Sequence, residues 1–408
     1  MSNKEERKAP VLRFKGFTDD WEQRKFTELG KLYYGKSAPK WSVVEKGGTP
    51  CIRYGELYTK YSSKIDNVYS HTSIDKSKLK FSTGNELLIP RVGEEPLDFA
   101  KHTSWLSIPN VAIGEMITVL KTKENPLFLA NYLRAKYVFK FARLVEGGNV
   151  SNLYFERYED TNILIPSKNE QQNISKLILK IDKLITLQQR KLELLKASKK
   201  AVLQNIFTDT KRVPTIRFNT FSENWNQKRL KPFLIKYNKK ATVNNQYPVL
   251  TSSRQGLFFQ KDYYDGNQIA SKNNIGYNIV PRNYFTYRHM SDDLIFHFNI
   301  NTICDYGIVS TLYPVFTTTS EIDSQWLLYY LNHSVDIKKY ALLQKQGGSR
   351  TYMYFSKLES LKAHIPALAE QKKISSLIFK IDEQIYFQQK KLKYLQKSKR
   401  FLLQNMFI

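Results

Sequence analysis

The chain of 408 residues has 41% hydrophobic residues, which suits globular cores for two to three domains and excludes a disordered tail. Its formal net charge of +27 indicates a polyanionic partner. Two cysteines, Cys51 and Cys304, exclude a disulfide framework and a cysteine-based metal site; because no secretory signal opens the sequence and no apolar run has membrane-spanning length, we expect a cytoplasmic protein.

Residues 1–165 are predicted to form a first mixed α/β domain, of which residues 1–10 are flexible. Strand signals occur at Glu86–Pro90 and Ile117–Lys121, where apolar residues cluster between turn-forming ones. Helical periodicity follows at Pro126–Lys140.

This first domain interleaves basic residues with tyrosines, a composition typical of proteins that grip phosphates and read bases. An arginine can donate two hydrogen bonds to guanine in the major groove. The alternative for each such side chain is a surface cation that contacts only water. The candidates for DNA contact are Arg53, Tyr54, Tyr58, Lys60, Arg91 and Lys101, with Tyr61 and His102 as neighbours.

A glycine pair opens the loop Gly147–Ser151, and the same pair recurs in the loop Gly347–Thr351. Different residues follow the two pairs, as expected if equivalent loops present different DNA-contacting side chains in the two domains. A glycine turn that ends a helix is the alternative interpretation. The candidates for DNA contact in these loops are Asn149, Ser151, Ser349 and Arg350.

Residues 166–208 are predicted to form a long spacer helix, because no Gly or Pro occurs from Glu170 to Phe207 and apolar residues recur at helical spacing. Asn169 is a plausible N-cap, and Glu170 suits the positive end of the helix dipole. A helix of 38 residues would be about 57 Å long.

The same segment returns as a second spacer helix at residues 366–408. Residues 165–207 and 365–407 align without a gap and share 23 of 43 residues. A second shared block opens each half, with Pro10, Arg13, Phe14, Phe17, Trp21 and Gln23 matching Pro214, Arg217, Phe218, Phe221, Trp225 and Gln227. Between these blocks the two halves are unlike, so we predict two different domains in one pseudo-two-fold frame.

Both spacer helices carry an apolar seam at heptad spacing, interrupted by Gln and Lys at equivalent positions. We expect the helices to pack as an antiparallel coiled coil, with Leu192 facing Leu395 so that Gln188 meets Lys399 and Lys199 meets Gln388. A packed apolar stripe without further meaning is the alternative. The seam comprises Ile178, Ile181, Ile185, Gln188, Leu192, Leu195 and Lys199, with Ile378, Ile381, Ile385, Gln388, Leu392, Leu395 and Lys399 in the second copy.

Residues 209–365 are predicted to form the second mixed α/β domain. Strand signals occur at Val249–Ser252, Leu294–Phe298 and Ile308–Leu312, and Ser324–Leu343 has helical periodicity. The candidates for DNA contact are Ser252, Arg254, Gln255, Arg282, Tyr287 and Arg288, with Thr251, Ser253 and His289 beside them.

Signatures of catalysis are missing from the sequence. The glycine pairs fit neither a phosphate loop nor a dinucleotide fingerprint, and the six histidines lack metal-ligand spacing. No Pro-Asp pair opens a nuclease motif, and no Asn-Pro-Pro-aromatic run could hold a flipped base. We therefore expect no catalytic residue, no metal and no cofactor in this chain.

The chain resembles the specificity subunits of type I restriction-modification enzymes over its whole length. The resemblance rests on the Ile-Pro-x-x-x-Glu-Gln starts at Ile165 and Ile365, the Gln-Asn-x-Phe ends at Gln204 and Gln404, and the unlike domains between them. Pro248–Phe259 and Ile275–Met290 also resemble recognition-domain sequence.

The resemblance implies an α+β architecture in which each unlike domain reads one half of a bipartite, asymmetric DNA target and the helix pair sets the gap. It implies two modification subunits that use S-adenosylmethionine, and restriction subunits that use ATP and Mg²⁺, as partners. Two alternatives stay open from the residues alone. One is an autonomous nuclease or methyltransferase, and the other is a sequence-blind nucleic-acid-binding protein.

Overall fold

A computed structural model describes residues 8–36, 38–45, 47–207, 213–266, 273–345 and 350–408 of the chain. Two compact units divide it: unit 1 comprises residues 1–189 and 390–408, and unit 2 comprises residues 190–389. The first seven residues, which we expected to be flexible, lie outside the described residues. Within the described ranges, no helix combines the length and apolar character needed to cross a membrane.

Unit 1 is built mainly from two five-stranded sheets. The first has the strand order Gly30–Tyr34, Ile117–Thr122, Glu86–Pro90, Ser104–Leu106 and Lys64–Ile65, antiparallel except for the last pair. The second has the order Val43–Val44, Ser70–Thr72, Thr49–Ile52, Pro109–Ile113 and Phe81–Thr83. The shorter helices are Phe26–Leu29, Tyr54–Thr59, Asp98–Lys101, Pro126–Lys136 and Val138–Ala142.

Unit 2 has a different middle, built on one four-stranded antiparallel sheet and several two-stranded pairs. The sheet has the order Leu234–Lys236, Val315–Thr318, Phe285–Tyr287 and Phe298–Ile300. The pairs are Leu250–Ser253 with Gly256–Phe259, Asn278–Pro281 with Tyr306–Val309, and Met290–Ser291 with Thr351–Tyr352. The shorter helices are Gln260–Tyr263, Ser324–His333, Val335–Leu343 and Phe355–Ser360.

The repeated blocks close each unit in the same way. In unit 1 the strand Glu22–Lys25 pairs antiparallel with Asn162–Ile165, and Glu22 lies opposite Ile165. In unit 2 Asn226–Arg229 pairs with Lys362–Ile365 in the equivalent register. The opening block of each half therefore pairs with the strand that leads into the long helix.

The Ile-Pro-x-x-x-Glu-Gln motif has a structural role in both units. Glu170 is buried and accepts hydrogen bonds of 2.7 and 2.8 Å from the Arg13 guanidinium, and Arg217 forms the same bidentate pair with Glu370. A buried carboxylate needs such a partner because burial removes its hydration. Glu170 and Glu370 lie in the first helical turn as expected, but the sequence did not indicate their arginine partners.

The glutamine of the motif connects the long helix to a shorter one. The Gln171 side chain donates to the Pro166 carbonyl at 2.9 Å and accepts from the backbone N–H of Asn125 at 2.9 Å. Asn125 is itself the N-cap of Pro126–Lys136. Gln371 makes the equivalent bonds to Pro366 and to the backbone of Asp323, the N-cap of Ser324–His333.

The first long helix spans Lys168–Phe207, and the second spans Leu368–Asn405. Both begin inside the predicted spacer segments 166–208 and 366–408, two residues before Glu170 and Glu370. Asn169 therefore lies inside the first helix and is not its N-cap; Ser167 precedes the helix and accepts from the backbone N–H of Glu170 at 3.4 Å. In the second copy Ala367 stands at that position, so the cap lacks a side-chain acceptor.

Within each unit, the start of one long helix packs beside the end of the other. Lys399 bonds Asp182 at 2.5 Å in unit 1, and Lys199 bonds Asp382 at 2.5 Å in unit 2. Residues early in one helix thus meet residues late in the other, which is an antiparallel arrangement. The sequence predicted Gln388 and Gln188 as the residues that meet Lys199 and Lys399, whereas the ion pairs of these lysines are with Asp382 and Asp182.

Burial follows the heptad pattern along both long helices. Ile178, Ile378 and Gln388 are buried, and the other eleven predicted seam residues are half-buried. Leu187, Leu194, Tyr386 and Tyr394, which lie between these positions, are exposed. The predicted fold class, two mixed α/β parts with two long packing helices in an internal repeat, is confirmed.

The last phenylalanine of each repeat fills the core of one unit. Phe407 stacks on Tyr132 with ring centroids 5.3 Å apart, and Phe207 lies 6.1 Å from Tyr330 at the equivalent place in unit 2. The repeated tryptophans complete these clusters, since Trp21 contacts Phe128 and Trp225 contacts Trp326. Unit 1 therefore needs the C-terminal end of the chain for its core.

Several local predictions need correction. The strand predicted at Leu294–Phe298 occurs at Phe298–Ile300, because Leu294 has a φ of 67° and Ile295 is exposed. The strand predicted at Ile308–Leu312 occurs at Tyr306–Val309. Each predicted single helix after the sheets is two helices, broken at Tyr137 in unit 1 and at Ser334 in unit 2.

Candidate nucleic-acid interface

A cleft of about 540 Å³ opens in unit 2 and collects several of the predicted contact residues. Its walls are the strands Leu250–Ser253 and Met290–Ser291 and the segment 310–313. The predicted residues that line it are Thr251, Ser252, Ser253, Arg254 and Arg288. Thr251 and Arg288 are 37 positions apart in the sequence and line the same cleft. The sequence had indicated these residues only by their composition.

Arg254 and Gln255 form the tip of the hairpin between Leu250–Ser253 and Gly256–Phe259. Both side chains are exposed. The Arg254 guanidinium bonds Asp293 at 2.5 Å and, with Ser291, lowers the pKa of that carboxyl to about 2. The arginine is thus held at the rim of the cleft by an exposed ion pair, which a phosphate or a base could replace at small cost.

Arg288 and Arg350 are exposed on the same side of unit 2. Arg350 bonds Asp292, a lining residue of the cleft, at 2.9 Å. Within the described part of the chain, Arg288 forms no ion pair. Arg288 is therefore the cleft cation that can bind an incoming acceptor without first losing a carboxylate.

Other predicted residues of unit 2 have different places. Tyr287 is fully buried and its hydroxyl donates to the Met353 carbonyl, so the prediction of a DNA contact is wrong for this side chain. Ser252 is also buried, and its hydroxyl accepts from Asn299 at 2.8 Å. Arg282 lies outside the cleft lining and bonds Asp305 at 2.9 Å. Ser349 lies outside the described residues.

In unit 1 the predicted residues gather beside the short strand Val92–Gly93. The Tyr58 hydroxyl donates to the Val92 carbonyl at 3.0 Å, and the Tyr58 ring lies 4.8 Å from His102. Arg91 stacks over Tyr34 at 4.6 Å. Tyr58 and Arg91 are half-buried, so part of each side chain is accessible to a ligand.

The remaining candidates of the first domain are exposed or half-buried on short helices nearby. Arg53 precedes the helix Tyr54–Thr59, and Tyr54 is exposed at its start. Lys60 bonds Glu56 at 3.0 Å, and Lys101 bonds Asp98 at 2.9 Å. Both lysines are paired within their own helical turn, as surface cations often are.

The glycine pair of unit 1 forms a β-hairpin. Glu146–Gly147 pairs with Ser151–Asn152, which in turn pairs with Val92–Gly93. Gly147 has a φ of 112°, so the tight turn favours glycine there. The alternative of a helix-ending turn is therefore wrong. Asn149 is exposed at the tip, whereas Ser151 is buried and cannot offer its hydroxyl to DNA.

The equivalent segment of unit 2 pairs in the same way. Thr351–Tyr352 lies antiparallel to Met290–Ser291, as Ser151–Asn152 lies to Val92–Gly93. Gly347 and Gly348 lie outside the described residues. In both units a predicted contact residue lies just before the strand that pairs with these segments: Arg91 precedes Val92–Gly93, and Arg288 lies two residues before Met290–Ser291.

One histidine, His297, lies at the cleft, and another, His333, lies beside the first long helix. His297 lines the cleft, and burial and Arg254 lower its pKa. Burial lowers the pKa of His333 from its ordinary 6.5 to about 4, with further contributions from Lys199 and His297. Both rings are therefore neutral at pH 7.

The pKa of His333 makes the stability of unit 2 depend on pH. Between pH 6.5 and about 4 the unfolded chain binds a proton that the folded chain does not, so stability should decrease as the pH falls through this window. We expect His333→Gln to flatten that dependence in melting experiments from pH 4.5 to 7. The control His71→Gln changes unit 1 only; an equally steep slope in His333→Gln would contradict the assignment.

Among the described residues, no group of three His, Cys, Asp or Glu side chains is placed to hold a metal ion. The arrangement in both units consists of arginines, which are half-buried in unit 1 and exposed at the cleft of unit 2, with amides and aromatic rings beside a hairpin or cleft. Such groups bind phosphates and base edges by hydrogen bonds and ion pairs.

The chain is similar in sequence to one family of proteins and in fold to a solved structure. Residues 18–197 match the family described as type I restriction modification DNA specificity domain. Two specificity subunits of Methanocaldococcus jannaschii type I restriction enzymes, MjaX and MjaVIII, are 23% and 21% identical over 94% of this chain, covering 92% and 95% of those proteins. The crystal structure of the type I restriction-modification S subunit from M. genitalium has a TM-score of 0.55 at 14% identity, covering 98% of this chain and 99% of that one.

Proposed function

We propose that this chain is a specificity subunit of a type I restriction-modification system, because residues 18–197 match that family and two such subunits are similar to it over 94% of its length. In this role it reads a bipartite, asymmetric DNA target with its two unlike middles. The recognition domains are residues 1–165 and 209–365, and the spacer helices are residues 166–208 and 366–408. Each domain reads one half of the target. The long helices set the number of base pairs between the halves.

The proposal rests on a contrast between two parts of the chain. The frame consists of the blocks that both halves share, and the middles are the unlike segments between those blocks. The strand pairs, ion pairs and aromatic cores of the repeated frame are equivalent in both units. The middles differ in sheet topology and in the cations that they expose. One scaffold with two different sets of side chains supports the reading of two different sequences.

We further propose that the chain is not catalytic alone. Two modification subunits dock on it and methylate adenine with S-adenosylmethionine, and restriction subunits of the same system use ATP and Mg²⁺ to cleave. The chain itself binds none of these cofactors. We propose that the remaining contact candidates bind bases or phosphates. They are Arg53, Tyr54, Tyr58, Lys60, Arg91, Lys101, Asn149, Arg254, Gln255, Arg282, Arg288, Ser349 and Arg350.

Methylation mapping tests the proposed target. Sequencing the host methylome with and without this gene should reveal one split motif that disappears in its absence. Purified chain incubated alone with DNA, Mg²⁺ and S-adenosylmethionine should neither cut nor methylate. Activity of the lone chain would support an autonomous enzyme instead. Equal binding to target and random duplexes would support a sequence-blind protein.

Arg288→Ala tests the cleft of unit 2. If Arg288 donates two hydrogen bonds to guanine, its loss should weaken target binding by about 1 to 3 kcal/mol, roughly five- to 150-fold, and relax specificity at one base pair. Affinities for target and single-mismatch duplexes measure this. The control Arg229→Ala removes an exposed arginine from the frame strand Asn226–Arg229. If Arg288→Ala distinguished target from mismatched duplexes as well as the wild type does, Arg288 would not contact a base of the target.

A further inference from the structure

A small basic cavity lies in unit 2 beside the C-terminal half of the first long helix. Its volume is about 430 Å³. Its lining differs from that of the 540 Å³ cleft of unit 2, which we call the reading cleft. Three lysines come from the long helix and one from the helix Val335–Leu343, while a histidine ends the helix Ser324–His333. The lining residues are Lys196, Lys199, Lys200, Leu203, Gln204, His333 and Lys338.

The lysines of the long helix stand at positions that bring like charges together. Lys196, Lys199 and Lys200 are spaced three and four residues apart, so they share one face of the helix and repel one another. Lys199 bonds Asp382 at 2.5 Å. Within the described residues, Lys196, Lys200 and Lys338 form no ion pair. The cavity therefore keeps excess positive charge that an anion would neutralise.

Two neighbouring histidines lie between this cavity and the cleft. His333 lines the cavity, and His297 lines the cleft and is close enough to influence its charge. The side chain of Asn332 holds this junction together, since it accepts from the backbone N–H of Phe298 and donates to its carbonyl, both at 2.9 Å. The cavity and the cleft are therefore neighbours within unit 2.

We propose that the cavity formed by these residues, the lysine pocket, binds backbone phosphates of the DNA between the two half-targets. This inference rests on the proposed function. Lysine ammonium groups bind phosphate as point charges and carry no information about bases, which suits a spacer whose sequence is not read. The first long helix is then a sequence-independent DNA contact as well as a spacer.

The test removes the charge of the three lysines that lack an ion pair. The triple variant Lys196→Gln, Lys200→Gln, Lys338→Gln in the full chain is compared with a control that loses three exposed lysines elsewhere in unit 2, Lys191→Gln, Lys372→Gln, Lys380→Gln. Affinity for the target duplex is measured from 50 to 200 mM salt. Equal melting temperatures of the two variants show that both are folded.

We expect the pocket variant to reduce the slope of log affinity against log salt by about two to three, because each lost phosphate contact removes roughly 0.9. Binding at low salt should weaken about tenfold or more, equally for target and mismatched duplexes. The control variant should bind like the wild type. A pocket variant that matches the control would overturn the proposal.

A second set of duplexes locates the contact on the DNA. Neutral methylphosphonates placed only between the half-targets should weaken binding of the wild type and leave the pocket variant unaffected. Methylphosphonates outside both half-targets should weaken both proteins alike. If spacer substitution weakens the pocket variant as much as the wild type, the lysines do not contact the spacer. Failure of the proposed function is distinguishable, because no specific target duplex would then exist for the wild type.

Discussion

We expect Arg217→Ala to lower the free energy of unfolding of unit 2 by about 3 to 5 kcal/mol, because it leaves the Glu370 carboxylate buried without its cation. Glu370 is 1% exposed and accepts two hydrogen bonds of 2.8 Å from Arg217, with a third of 3.3 Å from Trp225. Loss of the arginine cannot be compensated by water at such a position.

Denaturant unfolding of the full chain measures this loss, with fluorescence and circular dichroism followed together because two units can unfold separately. The double variant Arg217→Met, Glu370→Leu removes both charges and should cost much less than Arg217→Ala. Arg13→Ala should destabilise unit 1 in the same way, since Arg13 and Glu170 form the equivalent pair. An Arg217→Ala protein as stable as Lys25→Ala, which breaks only an exposed pair, would show that Glu370 needs no cation.

The repeat made the frame predictable from sequence, but it did not predict the partners within it. Glu170, Gln171 and Phe207 could be selected because they recur at a fixed offset. Their roles depend on contacts with residues far away in the chain, such as the 157 positions between Arg13 and Glu170. Helical periodicity reports only which face of a helix is apolar, and it contains no information about such long-range partners.

The unlike middles were less predictable because they have no second copy for comparison. The apolar run at Leu294–Phe298 indicated a strand, yet Leu294 adopts a left-handed conformation and the strand begins only at Phe298. Tyr287 stands among exposed arginines in sequence, but its strand is buried along its whole length. The composition of the sequence indicated which segments are basic. Which aromatic residues of these segments a ligand can reach depends on their burial within a sheet.

The largest expected effect is a change of DNA target by exchange of one middle. Replacing residues 30–121 with the corresponding segment of another specificity subunit should change one half of the methylated motif and leave the other half and the gap unchanged. The preference of the protein for its original target should fall by about a thousandfold or more, which is the usual margin between specific and non-specific binding. Sites that were fully methylated should therefore lose their methylation. Methylome sequencing of a host that expresses the exchanged chain measures this directly.

The structure places the junctions of this exchange. An exchange of the longer segment from Phe26 to Pro126 would include Glu124 and Asn125, and these bond the frame residues Arg24 and Gln171. Phe26 packs on Tyr137 and Tyr158 and also belongs to the frame. Residues 30–121 leave these contacts in place. The donor must keep glycine at position 30, because a Cβ there would lie 2.1 Å from the Lys121 carbonyl oxygen.

Exchange of residues 234–318 is the matched experiment in unit 2. It replaces the four-stranded sheet and the reading cleft while it preserves the Arg217–Glu370 pair and the aromatic cluster around Phe207. This exchange should alter the half of the motif that the first exchange leaves unchanged. If either exchange altered both halves, the two middles would not read separate parts of the target, and the division of recognition between them would have to be abandoned.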